Sequence, residues 1–197
     1  MENVTSPDFK IIEEPKKPLA MHPKKFAMWL FMASVMMLFA ALTSAYIVRQ
    51  AEGNWLFFEL PAFFTASTVI IVLSSVTMQW AFFAARKNQI STVRTQLTLT
   101  FVAGSAFLVL QVLGWQALVT NSVYFVGNPS GSFLYVITGL HGLHIVSALV
   151  FLFIVWVASL KITHYAEKIA QMEMCTTYWH FLGVLWVYLY VFLLLNR

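Results

Sequence analysis

Charge is what this sequence has least of. Only 10% of its 197 residues are Asp, Glu, Lys or Arg, whereas an average soluble domain carries about a quarter. A water-soluble globule is therefore excluded, because 60% apolar and 16% aromatic content cannot be hidden in one soluble core. Lipid must be the solvent for most of this surface. Cysteine is nearly missing as well. The single Cys175 rules out an internal disulfide and any multi-cysteine metal site, and it reads as a reduced packing residue at a helix end. There is also no Ser-His-Asp arrangement, no phosphate-cradling glycine loop and no pair of carboxylates at membrane depth. A transporter would show a charged or broken helix near the midplane, often with an internal repeat, and neither is present. By itself the chain is chemically quiet.

What the sequence does have is five long apolar runs without a single charged residue. They extend from Phe26 to Val48, Leu60 to Ala85, Leu97 to Val119, Phe133 to Leu160 and Thr176 to Leu195. Each matches or exceeds the roughly 20 residues a helix needs to cross a hydrocarbon core about 30 Å thick. The runs are continuous and do not alternate, which selects helices over a barrel, since backbone groups in lipid must be satisfied within each segment. The expected fold is thus all-α, an integral membrane bundle of five transmembrane helices over residues 26–197, preceded by a tail over 1–25. Pro7, Pro15, Pro18 and Pro23 stand among charges in that tail, so it reads as a mobile segment and not as a cleaved signal peptide.

Basic residues mark the topology. Lys10, Lys16, Lys17, Lys24 and Lys25 precede the first run, Arg86, Lys87 and Arg94 separate the second from the third, and Lys161 and Lys168 separate the fourth from the fifth. Only Arg49 and Arg197 fall on the other side. Basic loops are retained in the cytoplasm, so the expected N-terminus is cytoplasmic and the C-terminus outside. The net charge of +4 is then explained by loops near anionic lipid head groups, and nucleic acid is not an expected partner.

Polar side chains inside the apolar runs are where function is sought, because hydrocarbon makes them costly. Two clusters stand out, Thr138-Gly-Leu-His-Gly-Leu-His144 and Tyr178-Trp-His-Phe181. Gly139 and Gly142 lie one turn apart and are expected to let a neighbouring backbone approach closely, while His141 and His144 share one helix face. A haem reading needs two histidines at one depth on facing helices. Counted along the helices, His144 lies about 14 Å from the cytoplasmic boundary and His180 only about 6 Å. No carboxylate is available for a zinc or non-haem iron site either. The histidines are therefore expected to hydrogen-bond across helices or to lipid, and no catalytic, cofactor or metal ligand is assigned. Ser74, Ser75, Thr77, Gln79, Gln111 and Gln116 are expected to bond backbone or neighbouring helices. Trp55, Trp80, Trp115 and Trp179 lie near run ends, where an indole prefers the head-group region.

These same residues carry a resemblance. Thr138-Gly-Leu-His-Gly-Leu-His-Ile145 and Tyr178-Trp-His-Phe-Leu-Gly-Val-Leu-Trp-Val-Tyr-Leu-Tyr190 closely resemble the two signature helices of cytochrome c oxidase subunit III. Met28-Trp-Leu-Phe-Met-Ala-Ser34 with Ala45-Tyr46, Leu60-Pro61 and Val72-Leu-Ser-Ser-Val-Thr77 resemble that family's third and fourth helices. The family has seven-helix and five-helix forms, and this length resembles the bacterial five-helix form. The resemblance implies a subunit without redox centres in a bacterial cytoplasmic membrane. It would bind the haem-copper oxidase catalytic subunit I, which holds haem and copper, together with other oxidase subunits. It would also help sustain proton uptake and hold phospholipids in a cleft that another subunit completes. His141, His144, His180, Trp179, Gly139 and Gly142 are candidates for lipid or subunit contact. Lys161 joins them, because it matches a basic family position near lipid head groups. Two departures stand out. The family commonly reads Ser-Glu where Ser34-Val35 stands, and Trp-His-Phe-Val-Asp where Gly183 takes the Asp position. Two rival readings remain, an accessory subunit of a quinol oxidase or nitric oxide reductase, and a haem b electron carrier, which would show a Soret band in the isolated chain.

Overall fold

The computed structural model describes residues 23–161 and 169–196. All but the last three residues of the expected tail lie outside the described residues, as do Lys168 and Arg197. Five helices form, α1 (Pro23–Ala51), α2 (Ala62–Arg86), α3 (Ile90–Thr120), α4 (Pro129–Lys161) and α5 (Ile169–Leu195), and no strand occurs among the described residues. All five are long and apolar enough to span a membrane.

The helices start and stop where backbone chemistry provides for their ends. Pro23 and Pro129 occupy first-turn positions, where a missing N–H costs nothing. Asn128 accepts the Ser130 amide on its Oδ1 at 3.0 Å, which caps the start of α4, and its side-chain nitrogen donates to the Asn54 carbonyl at 3.2 Å, joining two loops. The turn from α2 into α3 is short. Asn88 takes a φ of 55°, and the Gln89 amide returns to the Ala84 carbonyl at 2.9 Å, an arrangement that satisfies the last carbonyls of α2.

Two helices begin seven residues earlier than their apolar runs, α3 at Ile90 and α5 at Ile169. The added turns contain charge with a purpose. Arg94 donates to the Ser159 carbonyl from Nε and Nη2, at 3.1 and 3.0 Å, and from Nη2 to the Leu160 carbonyl at 3.1 Å. A guanidinium thus meets the negative end of α4 and its orphan carbonyls. Glu173 pairs with Lys25 of α1 at 2.8 Å. These contacts join the start of α3 to the end of α4 and the start of α1 to the start of α5, at the basic end of the bundle.

α2, α3, α4 and α5 pack into one group, and α1 lies against α4 and α5 only. Its inward side is a single stripe, Met32, Val35, Phe39, Thr43 and Tyr46, spaced by three and four residues as one helix face requires.

Candidate subunit-contact site

The centre of the bundle is built around His141. The ring is fully buried, and aromatic rings from three other helices enclose it: Phe39 of α1, Phe107 of α3 and Trp186 of α5, with centroids at 6.1, 6.0 and 5.0 Å. Neither ring nitrogen has a hydrogen-bond partner among the described residues. His144, one turn on, donates from Nδ1 to the Leu140 carbonyl of its own helix at 2.7 Å. Its ring lies 5.7 Å from Phe39 and 6.2 Å from Phe31. The shared histidine face of α4 thus meets α1, and Phe39 touches both rings. Of these three histidines, His180 is the one that bonds across helices among the described residues, with its Nε2 and the Gln79 Oε1 of α2 3.0 Å apart. The expectation of a cross-helix or lipid bond is therefore corrected for His141, which is sealed in an aromatic box, while half-buried His144 bonds its own helix through Nδ1.

Trp179 also differs from expectation. Its indole is 1% exposed, so it reaches neither head groups nor a lipid. It lies inside the bundle, where Nε1 donates to Ser74 Oγ of α2 at 3.0 Å. Extension of α5 by two turns moves residue 179 away from the helix start and into the interior. Trp186 makes the matching bond one layer along, to Thr68 Oγ1 at 2.9 Å, and Trp115 donates to Thr138 Oγ1 at 3.0 Å. Buried indoles seek such acceptors. The hydroxyls are supplied by α2 and α4, and Gln111 joins the same interior polar set by donating to Ser67 Oγ at 2.9 Å.

Glycine placement is the second correction. A Cβ at Gly139 would find nothing nearer than Trp115 at 4.0 Å, and one at Gly142 only Leu108 at 3.9 Å, so neither supports a close backbone approach. The tight positions are elsewhere. At Gly104 a Cβ would stand 2.6 Å from the Trp179 ring, and at Gly114 it would stand 2.8 Å from Phe64. Both glycines lie on α3 and receive rings from α5 and α2. Nothing in the sequence marks them, because neither stands beside a histidine or in a signature segment.

The two positions at which the resemblance implies a carboxylate are enclosed here. Val35 belongs to the buried stripe of α1, and a Cβ at Gly183 would stand 3.1 Å from Ser75 Oγ. Apolar packing at Val35 and a close α2–α5 approach at Gly183 occupy these positions. Lys161 is the last residue of α4, and its side chain lies outside the described residues. Among the described residues no three His, Cys, Asp or Glu side chains come together as a metal-ligand set.

Comparison with known proteins gives the arrangement its relatives. The sequence model of the family described as cytochrome c oxidase subunit III matches residues 55–196. A probable cytochrome c oxidase subunit 3 from Nocardia farcinica is 29% identical over 172 residues, covering 82% of each chain. The cytochrome c oxidase subunit 3 of Corynebacterium diphtheriae is 30% identical over 170 residues, again 82% of each. That of Bacillus sp. (strain PS3) is 24% identical over 194 residues, covering 96% of this chain and 93% of the relative. Matched over most of its length, a multi-pass membrane protein with the signature helices packed at its centre, the chain belongs to the cytochrome c oxidase subunit III family.

Proposed function

We propose that this chain is the accessory subunit III of a haem-copper terminal oxidase in a bacterial cytoplasmic membrane, with its N-terminus inside. It carries no redox centre of its own. It packs against the catalytic subunit that holds haem and copper, helps that subunit sustain proton uptake, and retains phospholipid. The observation that carries this reading is how the two signature segments are used. Trp179 and Trp186 bond to α2, His141 is boxed by α1, α3 and α5, and His180 is committed to Gln79. Each group takes part in the packing of the bundle. Lipid retention is supported by a hollow of about 850 Å³ between α1 and the start of α4. Its wall is apolar at Ala41, Ala45 and Phe133, and Asn128 and the Arg49–Glu52 ion pair, 3.4 Å apart, line its polar side, an apolar surface that suits an acyl chain beside polar groups.

The test is to isolate the tagged chain from its native membranes in mild detergent. A reduced-minus-oxidised spectrum is then recorded, and oxygen consumption is followed with reduced cytochrome c and with quinol. The expected result is co-purification of a large haem-copper subunit with oxygen reduction, and the faster donor names the subclass. A chain that emerges alone contradicts the proposal, and a Soret band in that chain favours the electron-carrier rival.

A further inference from the structure

Opposite the basic end of the bundle, the hollow of about 850 Å³ between α1 and the start of α4 is layered by depth. From α1 it is lined by Ala41, Ser44, Ala45, Arg49 and Glu52, and from α4 by Phe133. Arg49 follows Val48, the last residue of the first apolar run, so it stands at the head-group level. At 1.5 Å per residue Ser44 lies roughly 8 Å deeper than Arg49 along the helix, and Ala41 roughly 12 Å deeper. The wall therefore passes from charge, through one hydroxyl, to methyl groups.

Ser44 is the exception among the hydroxyls of the apolar runs. Every other Ser and Thr of those runs bonds a carbonyl of its own helix or another side chain, whereas Ser44 Oγ has no partner among the described residues. Hydrocarbon makes an unbonded hydroxyl costly, and a molecule in the hollow with an acceptor at that depth removes the cost. The glycerol ester carbonyl of a phospholipid, set between head group and acyl chain, is such an acceptor. The charge pattern above Ser44 is a second, independent observation. Arg49 Nη1 lies 3.4 Å from Glu52 Oε2 and donates to the Gly53 carbonyl at 3.1 Å. A guanidinium has more N–H donors, and a carboxylate more acceptor sites, than these contacts use. The pair carries no net charge. A phosphate alone would be drawn to Arg49 and repelled by Glu52, whereas a head group that joins phosphate to ammonium satisfies both. A primary ammonium is required, because a quaternary one has no N–H to give the carboxylate. The polar side chains from the start of α4 are occupied elsewhere, Asn128 with Asn54, Leu56 and Ser130, and Ser132 Oγ with the Phe125 carbonyl. Recognition is thus left to α1.

We propose that this hollow is a site for one phospholipid of the phosphatidylethanolamine class. Its phosphate lies on Arg49 and its ammonium on Glu52, an ester carbonyl accepts from Ser44 Oγ, and an acyl chain runs along Ala41, Ala45 and Phe133. The lipid fills the gap between α1 and α4 at this end of the bundle. The proposal rests on the lipid retention put forward above and adds the class of lipid and the groups that hold it.

To test it, the tagged chain is purified from native membranes with its complex and washed in detergent until its phospholipid content is constant. The phospholipids retained per chain are then counted by class by mass spectrometry. Ser44→Ala and Glu52→Gln are compared with the parent and with Ser34→Ala, a control on the same helix whose hydroxyl bonds the Phe31 carbonyl. Binding about tenfold weaker is expected from loss of either contact, read as one phosphatidylethanolamine fewer per chain, while Ser34→Ala retains the parent number. Ala45→Trp fills the hollow and is expected to expel the same lipid at an unchanged yield of complex. Phosphatidylethanolamine retained at the parent level in Ser44→Ala, Glu52→Gln and Ala45→Trp overturns the site. Loss of phosphatidylglycerol or cardiolipin in these variants, with phosphatidylethanolamine unchanged, overturns the head-group assignment and leaves lipid retention standing. A parent complex that keeps no phospholipid through the wash overturns lipid retention and the site with it.

Discussion

The group formed by α2 to α5 and the helix α1 are held by different means. Within the group, indoles cross from helix to helix to reach hydroxyls, and glycines on α3 admit the rings of Trp179 and Phe64. α1 has no such interlock. It holds by one stripe centred on Phe39, by Thr43 Oγ1 with Tyr188 Oη at 3.0 Å, and by links near its ends. These are Lys25 with Glu173, and Tyr46 and Gln50 donating to the Asn196 carbonyl. In lipid there is no hydrophobic drive between helices, so close packing and polar bonds decide which contacts persist. The comparison therefore ranks α2 to α5 as the rigid unit and α1 as the element that gives way first.

The strongest way to break that ranking is at Gly104. A side chain there collides with the Trp179 ring, so Gly104→Leu is expected to destabilise the bundle by about 3 kcal/mol or more, read as loss of helicity at lower SDS in a mixed-micelle titration. A variant that unfolds with the parent would show that the interlock is loose. Phe39→Ala comes next. It removes the one side chain of α1 that touches both His141 and His144, at a cost of about 3 kcal/mol confined to α1. Spin-label distances between α1 and α5 should broaden while those between α2 and α3 hold, and equal broadening would dissolve the distinction. Lys25→Met sharpens the picture at the basic end. The ion pair is partly exposed, so its loss should cost less than about 1 kcal/mol, and added salt should shrink even that difference. Smallest of all is Gly139→Ala, where the new methyl meets only ordinary contact at 4.0 Å. Its effect on the same titration should stay within about 0.5 kcal/mol, and a large loss would restore the close approach that the signature segment first suggests.

The spans are legible in the sequence because a long apolar run without charge has few stable settings besides lipid. The early starts of α3 and α5 are not, since Arg94 and Glu173 look like loop residues until the α4 carbonyls and Lys25 appear beside them. Facing is the harder part. A segment that is apolar all round gives no periodic signal of its inward side, so Trp179 resembles a belt residue and Gly104 carries no signal at all. The histidine segment is conspicuous, because polar groups in hydrocarbon stand out. The roles of its histidines depend on which rings from other helices surround them, and a single sequence does not show that.

The central claim is that the chain supports chemistry performed elsewhere. It is tested most directly by dissociating the chain from its purified complex and following both parts. The separated chain should show no Soret band. The depleted complex should keep its haem spectrum and still reduce oxygen, at a rate that proton uptake comes to limit. Haem travelling with the chain, or oxygen reduction abolished from the first seconds with the catalytic subunit still folded, would contradict the accessory role.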